Sequence, residues 1–146
     1  MDGVTEFRLS DYWKRRVANF LGANFPIEVA LLDLNKVQLL GWENPSALLT
    51  DSYVRALERG HRFPLVDVIR RGAYYEIRGG YDGGHHRAVA HYIVGVPLRV
   101  RVFEKDREGT DDVELQSIRD LNFSDATPDE EEMLYEAVRE DDPNII

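Results

Sequence analysis

Hydrophobic and polar residues alternate along this chain in two periods, and the change of period separates predicted strands from predicted helices. Short stretches that alternate with a period of two, or that are briefly continuous in apolar residues, are typical of strands. Four stretches fit: Pro26–Leu34, Pro64–Ile69, Tyr74–Arg78 and Val96–Phe103. The residues between the second and third stretches favour a turn, so these two strands are predicted to form a hairpin.

Apolar residues at spacings of three and four predict the helices. The predicted helices are Ser10–Leu21, Pro45–Glu58, His85–Val94, Thr127–Arg139 and a short one within Val113–Leu121. Gly60 and Gly95 follow two of them at the position where a glycine ends a helix. Thr127 is the predicted cap of the last helix, which Met133, Leu134 and Val138 are expected to dock on the body. Residues 41–45 and 104–112 are predicted loops.

Composition limits the chemistry. The chain has 146 residues and no cysteine, which excludes disulfides, thiolate metal sites and thiol catalysis. No apolar run approaches the roughly 20 residues that cross a bilayer, and the N-terminus lacks the pattern of a signal peptide. We therefore expect a cytoplasmic protein without a membrane partner.

Charge is divided unevenly. Residues 1–103 carry 14 Lys/Arg and 11 Asp/Glu, whereas residues 104–146 carry 4 and 16, a net −12. Acidic segments of this kind are usually solvated or bind a partner. The C-terminal segment is thus a candidate surface for a protein partner.

The segment YEIRGGYDGGHHRAVA, residues 75–90, holds the candidate chemistry. Four of the six residues in Gly79–Gly84 are glycine, and they lie between a predicted strand and a predicted helix. A glycine-rich turn lets the backbone approach a ligand, and the helix start offers unpaired amides to an anion. The predicted phosphate-binding residues are Gly83, Gly84, His85, His86 and Arg87.

Side chains in the same segment suggest catalytic roles. Asp82 could hold Mg²⁺ or act as a base, and His85 and His86 could exchange a proton near neutral pH. A zinc site using these histidines and His91 is disfavoured by spacing, because adjacent residues point to different sides of a helix. A tight turn without a ligand remains the alternative.

The order of elements, with Gly84, Arg87, Ala88 and Ala90 in the motif, resembles the ParB and sulfiredoxin superfamily over about residues 26–103. This resemblance implies an α+β fold with a small mixed sheet. It divides the chain into an N-terminal helix in residues 1–25, this domain, and an acidic helical tail in residues 104–146.

The resemblance also implies that this chain differs in function from the sulfiredoxin and chromosome-partition branches of the family. His85 stands where sulfiredoxins have their catalytic cysteine, so their thiol chemistry is excluded. His85 and His86 replace the Glu-Arg pair of the chromosome-partition branch, and the DGGHHR string is most similar to variants that include ParB-like nuclease domains and a free-serine kinase. The family's arginine-bearing loop aligns with QLLGWENP, where Glu43 is the ionisable candidate for catalysis.

Three functional hypotheses follow. The first is an enzyme that binds a nucleotide (ATP, ADP or CTP) or a nucleic-acid phosphate with Mg²⁺ and catalyses phosphoryl transfer or phosphoester hydrolysis. The second is a nucleotide- or DNA-binding module without turnover. The third is an interaction protein with a vestigial motif.

Overall fold

The computed structural model describes residues 3–8, 28–78, 84–104 and 114–141. Within these ranges the chain forms seven strands and three helices in a mixed α+β arrangement, which confirms the predicted fold class. The strands are β1 (Val4–Arg8), β2 (Glu28–Leu32), β3 (Leu39–Gly41), β4 (Val66–Arg70), β5 (Tyr75–Ile77), β6 (Leu98–Phe103) and β7 (Gln116–Ser117). The helices are α1 (Ala47–Glu58), α2 (His85–Val94) and α3 (Pro128–Asp141).

One mixed sheet contains all seven strands, in the order β1-β2-β6-β4-β5-β3-β7. Strand β6 pairs antiparallel with β2 and parallel with β4, with Val100 opposite both Ala30 and Val66. Strands β4 and β5 form the predicted hairpin, in which Val68 lies opposite Ile77. Strand β3 pairs parallel with β5 and antiparallel with β7.

The main core lies between one face of this sheet and α2. Alternation in β6 buries Leu98, Val100 and Val102 and exposes Arg99 and Arg101, as its half-exposed pattern predicts. Helix α2 packs Ala88 and Val89 into the same cluster. Burial of these apolar side chains is the main stabilising contribution, at about 25 cal/mol per Å² of apolar surface removed from water.

A second, smaller cluster joins α1 to α3. Tyr53 of α1 meets Phe63 edge to face at 4.7 Å, and Tyr135 and Val138 of α3 pack beside them. Ser46 caps α1 by accepting a hydrogen bond from Leu49 N. This cluster fixes the start of α1 relative to the rest of the domain.

Three strands were not predicted from the sequence, and one predicted helix is wrong. Residues 116–117 form β7 rather than a helix, because Ile118 is buried in the core and its amide donates to the Leu39 carbonyl. Strand β3 occupies part of a predicted loop and spans three residues. Strand β1 pairs with β2, opposite Leu31 and its neighbours, at the N-terminus. The predicted helix Ser10–Leu21 lies outside the described residues.

The docking face of α3 agrees with the prediction at Val138 and differs from it at Met133 and Leu134. Met133 is 72% exposed and Leu134 is 40% exposed, whereas Tyr135 and Val138 make the contact with α1. Residues 131, 135 and 138 share one face of the helix at spacings of four and three, and Met133 lies off that face. No helix in the described part of the chain is long and apolar enough to cross a membrane.

Candidate phosphate-binding site

The N-terminus of α2 faces the loop that joins β3 to α1. Gly84 precedes the helix with φ +88°, a left-handed conformation that favours glycine, and no side-chain hydrogen bond caps the helix start among the described residues. A Cβ on Gly84 would lie 2.7 Å from Cγ1 of Val66. Glycine therefore brings the helix start against β4 and leaves its amide groups without a side-chain cap, an arrangement that suits an anion.

His85, the first residue of α2, is fully buried, with 0% of its surface exposed. Its Nε2 accepts a hydrogen bond from Trp42 N at 3.2 Å, and the two rings meet edge to face at 4.5 Å. Gly41 makes this approach possible, because a Cβ there would lie 2.7 Å from Cδ2 of His85. Since Nε2 is an acceptor, we assign the proton of the neutral ring to Nδ1.

Glu43 lies beside that proton. Its Oε2 is 3.3 Å from Nδ1 of His85, and its side chain is 50% exposed. The distance is long for a charge-assisted hydrogen bond, and Nδ1 has no partner with hydrogen-bond geometry in the described part of the chain, so the pair is an electrostatic contact. The contact of its carboxylate with the His85 ring lowers the pKa of Glu43 from 4.5, whereas burial raises it, and the electrostatic influence of His85 and His86 lowers it further. Glu43 is therefore ionised at neutral pH.

His86 connects α2 to the start of α1. Its Nε2 accepts a hydrogen bond from Ser46 N at 3.0 Å. Ser46 and Ala47 in turn donate to Oε1 of Glu131, from Oγ at 3.4 Å and from the backbone amide at 3.1 Å. Two helix starts and one carboxylate from α3 thus meet around His86.

The side chain of Arg87 contacts the loop before β4. It is 5% exposed, and Nη1 donates to the carbonyls of Pro64 at 2.6 Å and Leu65 at 3.4 Å. These bonds tie α2 to that loop. The phosphate contact expected of Arg87 stays a prediction.

His91 is buried one turn further along α2, and its Nδ1 lies 2.6 Å from the Arg87 carbonyl. Burial lowers the pKa of His91 below its ordinary 6.5, and the charges of Arg87 and Arg99 act in the same direction, while the backbone bond opposes them. The ring is neutral at pH 7 and donates from Nδ1. His91 therefore packs α2 against its surroundings and takes no part in the site at the helix start.

The structure brings Glu43, His85 and His86 together and places Gly84 at the helix start. Asp82 and Gly83 lie outside the described residues. Sequence reasoning missed Trp42 and Ser46, which act through backbone amides, and Glu131, which lies 85 residues from Ser46. Only Ser46 carried a local signal, as a residue type that often caps a helix.

The described residues contain no group of three or more His, Asp or Glu side chains arranged to hold a metal ion. Glu43 contacts His85 at the helix start, but one carboxylate alone would give a metal ion a single protein ligand. The Mg²⁺ prediction, which rested on Asp82, stays a prediction.

No protein-family model matches this chain, and no curated protein or solved structure matches it either. The similarity to the ParB and sulfiredoxin superfamily therefore rests on the motif and the order of elements in the sequence.

Proposed function

We propose that the protein binds the phosphate of a nucleotide or nucleic acid at the start of α2 and catalyses phosphoryl transfer or phosphoester hydrolysis, as a ParB-like nuclease-type domain. The observation that carries this proposal is the start of α2, where Gly84 provides no side-chain cap among the described residues and the ionised Glu43 carboxylate lies beside His85. Backbone amides and the helix dipole attract an anion, and the contact with the buried His85 ring holds the carboxylate next to them.

Glu43 has the catalytic role in this proposal. Enzymes of phosphoryl transfer act mainly by positioning the attacking group and by stabilising charge. Half of the Glu43 side chain reaches solvent, so its carboxylate can accept a hydrogen bond from an attacking water or hydroxyl. Its lowered pKa keeps it ionised for that task but makes it a weak base.

The two histidines of the motif hold the loop in place. Nε2 of His85 accepts the amide of Trp42, and Nε2 of His86 accepts the amide of Ser46. The two donors, Trp42 and Ser46, lie on either side of Glu43 in the sequence. In this proposal the histidines orient the Glu43 loop over the helix start, and proton exchange by either ring, the role suggested by the sequence, is not required.

One observation favours the alternative of a binding module without turnover. His85 has no exposed surface, and one of its nitrogens is already engaged with the backbone. Proton exchange with a ligand at Nε2 would require the Trp42 contact to break, and Nδ1 faces Glu43. If Glu43 also takes no part in chemistry, the site binds phosphate and does no more.

A nucleotide panel with and without Mg²⁺ tests the proposal, first by thermal shift and then by product formation. We expect Glu43→Gln to retain binding and to lose about 10²- to 10⁴-fold in turnover. Glu58→Gln, the same change at an exposed position at the end of α1, is the matched control. Ligands that stabilise the wild type without being consumed would support the binding module. Wild-type turnover in Glu43→Gln would refute the role of Glu43, and no stabilisation by any ligand would refute phosphate binding.

A further inference from the structure

We propose that Glu131, on the acidic helix α3, is a positioning residue for the phosphate site, which it reaches through Ser46 and His86. The inference rests on the proposed function in taking the start of α2 as a phosphate site. The link from Glu131 to His86 rests on separate hydrogen bonds. No residue of α3 was expected at the site from the sequence. The contact joins the acidic C-terminal segment to the residues that hold the Glu43 loop.

The coupling runs through one residue. Ser46 donates its backbone amide to Nε2 of His86 and its hydroxyl to Oε1 of Glu131, and the next amide, Ala47 N, donates to the same oxygen. The direction of the Ser46 amide therefore depends on both partners. Removing the carboxylate would leave the Ser46 hydroxyl and the Ala47 amide without this acceptor at the start of α1.

Electrostatics favours this placement of the carboxylate. The first amides of a helix carry a partial positive charge, and a carboxylate at a helix start stabilises it. No acidic residue lies in the first turn of α1 itself. Glu131 supplies the missing negative charge from another element, and so it fixes the position of α3 and the geometry at Ser46 together.

The segment before α3 supports the same loop at further points. Ser124 N donates to the Pro45 carbonyl at 2.8 Å, directly before Ser46. Arg119 donates to the carbonyls of Leu34 and Val37, and Ile118 N donates to the Leu39 carbonyl. Residues 118–131 thus follow the chain from residue 34 to residue 47. The loop that carries Glu43 is held by this segment on one side and by α2 on the other.

A comparison of Glu131→Ala with Glu132→Ala tests the inference. Glu132 is the exposed neighbour on the same helix, so its substitution removes the same charge without removing the contact with Ser46. The first readout is the ¹⁵N signals of the His86 ring, which distinguish the nitrogen that accepts a hydrogen bond from the protonated one. The second is the affinity for pyrophosphate by calorimetry, and thermal unfolding reports stability.

We expect Glu131→Ala to reduce the separation of the two His86 ring signals and to weaken pyrophosphate binding by about tenfold, in line with the loss of a helix cap. Glu131→Gln retains an oxygen acceptor and should recover part of both effects. Glu132→Ala should match the wild type in both.

Two results would overturn the inference. One is a Glu131→Ala protein with a lower unfolding temperature but wild-type His86 signals and wild-type affinity, since a purely structural contact would behave in that way. The other is tighter pyrophosphate binding, which would make Glu131 a competitor of the ligand. If the wild type binds neither pyrophosphate nor any nucleotide of the panel, the proposed function fails, and the His86 signals alone decide whether Glu131 positions this residue.

Discussion

Substitution of Gly41 by alanine tests the packing that brings His85 against the Glu43 loop. A Cβ at this position would lie 2.7 Å from Cδ2 and 2.9 Å from Nε2 of His85. Carbon atoms prefer separations of about 3.5 Å or more, so the ring or the loop must move by about 0.8 Å. The ring is fully buried and has little room to move.

The expected cost is that of overpacking a core, about 1–3 kcal/mol of unfolding free energy. Movement of the ring would also stretch the bond from Trp42 N to Nε2, which is already 3.2 Å long. Urea unfolding of Gly41→Ala, with the wild type as reference, measures the loss directly.

A double-mutant cycle with His85→Ala separates this clash from other effects of the new methyl group. Without the ring, Gly41→Ala should cost much less, which gives a coupling free energy of about 1–2 kcal/mol. Equal costs of Gly41→Ala in both backgrounds would refute the argument that Gly41 exists to admit His85.

Three further experiments extend the test to the rest of the fold. Gly84→Ala should cost at least about 2 kcal/mol in urea unfolding, because it combines φ +88° with a 2.7 Å approach to Val66. The unfolding free energy should fall as pH drops below 6.5 toward the lowered pKa of His91, because the unfolded chain then binds a proton that the folded chain does not; His91→Gln should flatten this dependence. Tyr135→Ala should cost about 1–3 kcal/mol, whereas Met133→Ala should stay within about 0.5 kcal/mol, and equal costs would contradict the docking face described for α3.

Local signals in the sequence predicted the three described helices well. The bounds predicted for α2, His85–Val94, agree with the structure, and Gly95 ends it with φ +85°. The spacing of its apolar residues and the glycines on either side are signals within the segment itself, so the bounds of this helix could be predicted without knowing which distant residues it contacts. The same holds for α1, whose start at Ser46 and end before Gly60 follow capping rules.

Pairing between distant segments was not predictable in the same way. Strands β3 and β7 span three and two residues, and each exists because a partner strand lies beside it. A pattern of two or three residues has no period to detect. On α3 the predicted contact of Val138 is confirmed, but Met133 and Leu134 were expected to dock because they are apolar, and both are exposed. The second contact comes from Tyr135 instead.

The candidate site falls between these cases. The motif identified His85 and His86, and the resemblance pointed to Glu43, but neither revealed that the three meet through Trp42 and Ser46. Backbone amides carry no side-chain signal, so their role was invisible in the sequence. The contacts of Arg87 Nη1 with backbone carbonyls were likewise not visible in the sequence, where the residue type suggests phosphate.

An NMR titration of ¹⁵N-labelled protein shows whether phosphate binds at the start of α2. The titrants are ATP and CTP, each with and without Mg²⁺, and pyrophosphate. We expect saturable chemical-shift changes that are largest at the amides of His85, His86 and Arg87 and that extend to Glu43. Saturable changes confined to other parts of the chain, or no changes at millimolar ligand, would contradict phosphate binding at this site.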